Sequence, residues 1–165
     1  MDTYTGGFTA LDLQNELKAD LEALFDNFTL RMKSGETRKP TVYLYNLPVP
    51  ETDDDTEMSY MPYIIIRTNA GKIEDWDTSD QIKELTALLL IGLYNTDTDR
   101  SGALDVMAII QTIENHLGKT RRVGNFTVGR ELQWVISDAD THPYYFGGVT
   151  VKFEAPRVIK EDPLV

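Results

Sequence analysis

The residues best suited to metal chemistry lie together in one polar segment near the middle of the chain. Asp97, Asp99 and the serine two positions further are oxygen donors at alternating positions, and a glycine follows, as in the first half of a calcium-binding loop. Such a loop needs a bidentate glutamate at its twelfth position, which here is Ala108. Aspartate and serine are also typical of a turn that enters a helix. The sequence therefore favours a turn, with a calcium site or a metal-dependent enzyme using Asp97, Asp99 and Asp105 as the alternative.

The two histidines are poorly placed for catalysis or metal binding. His116 lies near the end of a predicted helix, and His142 lies in a turn before a proline. The sequence has no histidine pair with the spacing of a zinc site, no nucleophile elbow and no phosphate-binding glycine loop. Acidic residues are so abundant that no pair stands out as a general acid and base. We therefore predict no catalytic residue, no cofactor and no metal.

Composition excludes further kinds of site and partner. The 165 residues include no cysteine, so disulfides, thiolate metal sites and cysteine nucleophiles are excluded. A formal net charge of −11 argues against general binding to nucleic acid or docking on an anionic membrane surface. No apolar run reaches the roughly 18 residues that cross a bilayer, and the start does not resemble a signal peptide. The length suits a single domain, residues 1–165, with loose arms at residues 1–8 and 157–165.

The first strong secondary-structure signal is an amphipathic helix. Thr9 and the aspartate three residues later form a near capping box. Apolar residues then recur at helical spacing as far as Met32, and Ser34 and Gly35 are expected to end the helix. The apolar stripe indicates a helix that lies on a sheet, with a coiled-coil partner as the alternative.

Two strands are predicted next, with an acidic segment between them. Residues 41–47 and 61–68 are rich in β-branched and aromatic residues. The acidic residues 51–57 cannot pack together, so we expect them to form a solvated loop. The two strands would pair as an antiparallel hairpin with this loop as its tip, and residues 69–72 would form a turn.

One apolar segment is ambiguous, and a clearer helix follows it. Residues 82–94 fit a helix and a strand buried on both faces equally well by periodicity. Gly92 and Tyr94 favour the strand. Residues 103–117 carry an apolar face at helical spacing, and Gly118 is expected to stop that helix.

The last third predicts two strands by period-two alternation. In residues 126–136 the apolar side chains share one face, interrupted only by Arg130, and residues 144–154 alternate again. The element order is therefore α-β-β-β-α-β-β. This order predicts an α+β fold, a mainly antiparallel sheet with two amphipathic helices packed on one face.

Two groups of residues are candidates for an assembly interface. Arg121, Arg122 and Arg130 form the main basic feature of the C-terminal half. Arg130 is either a surface side chain at a strand end or edge, or the partner of an acidic neighbouring subunit. Tyr144 and Phe146 belong to an aromatic stretch. Aromatic residues are enriched at interfaces, although part of this stretch belongs to the core by default.

One arrangement of residues extends over the second half of the chain, residues 80–156. An apolar strand is followed by a polar turn, an apolar helix and two alternating strands. Its distinctive residues are 87–94; Asp97, Asp99 and Gly102; Ile109, Ile110, Ile113 and Leu117; Phe126, Val128, Leu132 and Trp134; Tyr145, Phe146, Gly147, Gly148 and Val149; and Phe153 with Glu154. In this arrangement the chain resembles the tail terminator (tail completion) proteins of long-tailed bacteriophages.

The resemblance implies a structural role in the virion and no enzymatic activity. Proteins of this family have a small sheet with helices on one side, and they form a hexameric ring that caps the tail tube and joins it to the head. The implied partners are other copies of the chain, the tail-tube protein and a neck or head-completion protein. DNA passes through the ring without specific binding, which suits an acidic protein. The implied location is the virion tail, after synthesis in the bacterial host cytoplasm. A neck or head-completion protein is the alternative.

Overall fold

Two helices pack on one face of a six-stranded sheet in the computed structural model, which describes residues 9–28, 30–31, 37–49, 57–76 and 81–155. The two predicted arms and nearly all of the acidic segment lie outside these residues. The helices are α1 (Ala10–Leu24) and α2 (Gly102–Thr120). The strands are β1 (Leu30–Arg31), β2 (Thr37–Arg38), β3 (Thr41–Leu44), β4 (Tyr63–Glu74), β5 (Ile82–Tyr94), β6 (Arg122–Val123), β7 (Phe126–Ile136) and β8 (Tyr144–Ala155). The predicted α+β class is confirmed.

The large sheet has the strand order β3-β4-β5-β8-β7-β6, while β1 and β2 pair separately. All neighbours in the large sheet are antiparallel except β3 and β4. The long strands β5 and β8 occupy the centre, and a short β6 pairs only with the first two residues of β7. The segment 82–94 is thus a strand, as Gly92 and Tyr94 suggested.

The predicted antiparallel pairing of residues 41–47 with residues 61–68 is wrong. Thr41 pairs with Tyr63 in a parallel ladder. The predicted turn at residues 69–72 is also wrong, because these residues lie inside β4 beside a bulge. β4 instead forms a long antiparallel ladder with β5. Alternation in a sequence identifies strands, but it does not determine which strand pairs with each side of a given strand.

Helix α1 begins as predicted and ends earlier. Both hydrogen bonds of the capping box at Thr9 are present. The helix ends at Leu24, however, and the predicted end at residues 34–35 is wrong. Phe25 and Phe28 continue the apolar spacing beyond the helix, with ring centroids 5.0 Å apart in an edge-to-face contact. Their packing explains why the sequence pattern outlasts the helix.

Helix α2 is longer than predicted. It passes Gly118, the predicted stop, and ends at Thr120. Arg121 takes the left-handed conformation at the C-terminus, with φ of 55°, and its backbone N–H donates to the carbonyl of Leu117. No helix among the described residues is long and apolar enough to cross a membrane.

The core lies between the two helices and one face of the sheet. On β5, alternate residues point into it, and the same holds for β8. The residues that are fully buried there are Leu13, Leu17, Leu21, Ile64, Ile66, Ala87, Leu89, Val106, Ile109, Ile110, Ile113, Leu117, Phe126, Val151 and Phe153. Their burial is the main source of stability.

The opposite face of the sheet, here called the open face, is covered by neither α-helix. It carries a smaller apolar cluster near one end, formed by Met61, Tyr63 and Ile65 with Tyr43, Leu47, Leu90, Tyr94, Tyr144 and Phe146 packed against it. Half-buried Leu88, Thr86 and Thr150 lie nearer the middle of this face. Met61, Tyr63 and Ile65 are themselves buried, so the surface that this face offers to another molecule lies among the half-buried residues around them.

Candidate functional site

The polar segment after β5 is organised by Asn95, which is only 3% exposed. Its side-chain amide donates to Oδ2 of Asp105 at 2.8 Å and to Oγ of Ser101 at 3.3 Å. Its side-chain oxygen accepts from the backbone N–H of Asp97 at 2.8 Å, which closes a turn. The backbone N–H of Ser101 also donates to Oδ1 of Asp99, at 3.1 Å. These bonds join the end of β5 to the start of α2.

This arrangement favours a turn over a metal site. Among residues 9–28, 30–31, 37–49, 57–76 and 81–155, no group of three or more His, Cys, Asp or Glu side chains could hold a metal ion. Ser101 precedes α2 but makes no side-chain capping bond. Sequence reasoning missed Asn95, although a polar residue directly after an apolar strand was a usable signal.

Asp105 is the carboxyl group whose environment the turn perturbs most clearly. Burial raises its pKa above the ordinary value of 3.8, and the charges of Asp97 and Asp99 act in the same direction. The hydrogen bond from Asn95 opposes them, because it stabilises the carboxylate. The folded protein therefore holds a proton on Asp105 more tightly than the unfolded chain does.

We expect replacement of Asp105 with asparagine to change the pH dependence of stability. A carboxyl with a raised pKa contributes stability below its ordinary value of 3.8 and loses it as the pH rises through the folded value. The wild type should therefore lose stability relative to Asp105→Asn as the pH rises from below 3.8, and the loss should level off above the raised pKa of the folded protein. Asparagine keeps an acceptor for Asn95. Urea unfolding at several pH values measures the free energy of unfolding of the wild type minus that of the variant. If this difference rises with pH or stays constant, the expectation is contradicted.

The two histidines make structural contacts. Nε2 of His116 lies 2.8 Å from Oδ2 of Asp20 and joins α2 to α1. Nδ1 of His142 lies 2.7 Å from the hydroxyl of Tyr145. Each contact joins neighbouring parts of the fold, and in the described part of the chain neither histidine belongs to a group of three or more His, Cys, Asp or Glu side chains that could hold a metal ion.

The three predicted arginines lie along one edge of the sheet. Arg121 donates from its guanidinium to the carbonyls of Val128 and Gly129, at 3.1 and 3.3 Å. Arg122 is exposed in β6. Arg130 is exposed in a bulge of β7, where the register with β8 shifts. The bulge explains why Arg130 interrupts the apolar pattern of that strand.

Tyr144 and Phe146 lie together on the open face. The rings of Tyr144 and Tyr94 are tilted against each other with centroids 5.4 Å apart. Beside Phe146 the face forms a shallow apolar groove of about 330 Å³. The groove is lined by Leu88, Leu90, Gln133, Trp134, Val135, Ser137, Phe146, Gly147, Gly148 and Thr150. The aromatic candidates and the arginines thus belong to two neighbouring surfaces rather than to one cluster.

The outer edge of β7, here called the β7 edge, adjoins this groove. Beyond the two residues that pair with β6, no described strand lies beside β7 on that side. Trp134 and Val135 are 42% and 65% exposed there. An unpaired edge with exposed apolar residues is a common route to contact with another chain. The alternation of residues 126–136 predicted the strand but not its place at the edge of the sheet.

The candidate site is therefore a binding surface formed by the open face and the β7 edge. Its Tyr144, Phe146 and Arg130 were singled out from the sequence, while Trp134 and Val135 were not proposed as interface residues. A scan against models of known protein families found no match to this chain, and a search of curated proteins found none either.

Proposed function

We propose that this protein is a virion assembly protein of the tail-terminator kind. It forms a ring of six copies that caps the finished tail tube and joins it to the head, and it works in the virion tail after synthesis in the host cytoplasm. The observation that carries the proposal is the shallow apolar groove on the open face beside Phe146, since an apolar surface of this kind can bind a partner.

The chemistry of the described residues supports binding rather than catalysis. Asp97, Asp99 and Asp105 take part in a hydrogen-bonded turn, and both histidines contact neighbouring elements of the fold. The net charge of −11 suits a ring through which DNA passes without being held. The segment that resembles tail terminators, residues 80–156, supplies α2 and the strands that carry the groove.

The proposal is tested with purified tail tubes that lack a terminator. Negative-stain electron microscopy should show a ring of this protein at the tube ends, and light scattering should report the mass of the free form. Free protein that is monomeric is compatible with the proposal if it still caps tubes, because the tube can template the ring. A monomer that leaves the tubes uncapped would overturn it.

We expect Phe146→Ser to weaken binding to the tubes by about tenfold or more, as for an aromatic residue at the centre of an interface. The matched control is Leu104→Ser, because Leu104 is 71% exposed on α2, away from the open face. Circular dichroism checks that both variants fold. Equal loss of binding in both variants would mean that the open face is not the contact surface.

Two further binding experiments test the alternative functions. Binding to portal or head-completion protein, without binding to tail tubes, would support a neck or head-completion protein. Calorimetric titration with calcium, magnesium and manganese tests a metal-dependent function of Asp97, Asp99 and Asp105. We expect no heat of binding from these ions.

A further inference from the structure

We draw no further inference here: the strongest candidate, the β7 edge with the exposed side chains of Trp134 and Val135, carries none, because nothing in the structure shows what covers it.

Discussion

Replacing Phe153 with alanine is expected to lower the free energy of unfolding by about 3–5 kcal/mol, the range for truncating a fully buried aromatic side chain. Phe153 is 0% exposed. It lies on β8 between Leu85 on β5 and Val128 on β7, facing the helices. Truncation removes apolar contacts on all sides and leaves a cavity that the surrounding strands cannot close. Urea unfolding followed by circular dichroism measures the change.

The matched control for this substitution is Phe146→Ala. Phe146 is the same residue type on the same strand, but it lies half-buried on the open face. We expect it to lower the free energy of unfolding by about 1 kcal/mol, because less area is lost and no closed cavity forms. If Phe153→Ala were no more destabilising than Phe146→Ala, the core would not lie on the helix side of the sheet.

Replacing Gly147 with valine is expected to cost about 2–3 kcal/mol of stability by overpacking the core. A Cβ at Gly147 would lie 2.6 Å from Cγ1 of Val106 and 3.1 Å from the carbonyl oxygen of Val135. Val106 is fully buried on α2 and β-branched, so it has little freedom to move aside. The helix must shift off the sheet to make room. Thermal and urea unfolding of the purified variant measure the loss.

The next residue supplies the control. A Cβ at Gly148 would meet only the carbonyl oxygen of Leu89, at an ordinary contact distance of 3.6 Å. We expect Gly148→Ala to be neutral or to stabilise by about 0.5 kcal/mol, because alanine restricts the unfolded chain more than glycine does. Equal destabilisation by both substitutions would mean that the close approach of α2 is not what requires a glycine at position 147.

The elements with a strong period were predictable from the sequence. The alternation in residues 126–136 and 144–154 identified β7 and β8, and the capping box at Thr9 identified the start of α1. The fold class followed, because two amphipathic helices must cover one face of a sheet. Element ends were less predictable. α1 stops at Leu24 although apolar residues continue, since the residues after a helix can keep packing on the same surface.

Strand pairing was the least predictable feature. The parallel pairing of β3 with β4 leaves the other side of β4 to β5, which pairs with eleven residues of β4. Nothing in the alternation of residues 41–47 indicates a parallel neighbour. Pairing is decided by which arrangement buries most apolar surface across the whole sheet, and a local pattern does not contain that information.

The candidate site was likewise predictable only in part. Tyr144 and Phe146 lie on a partly exposed surface, because they precede the most buried part of β8. Arg121 instead uses its guanidinium on carbonyls of its own chain, which depends on its left-handed backbone at the end of α2. Trp134 is exposed because β6 is short and pairs only with the start of β7. The length of β6 could not be predicted from the residues of β7.

The central ladder of the sheet has a consequence for how the chain folds. β5 pairs residues 83–94 with residues 144–155 of β8, and both α2 and β7 lie between them in the sequence. Contacts between such distant segments slow folding, because the intervening chain must lose its freedom before they form. The hairpin of β4 and β5 is local and can form early during synthesis. The sheet itself cannot close until β8 has left the ribosome, so its central ladder forms only after α2 and β7 have been made.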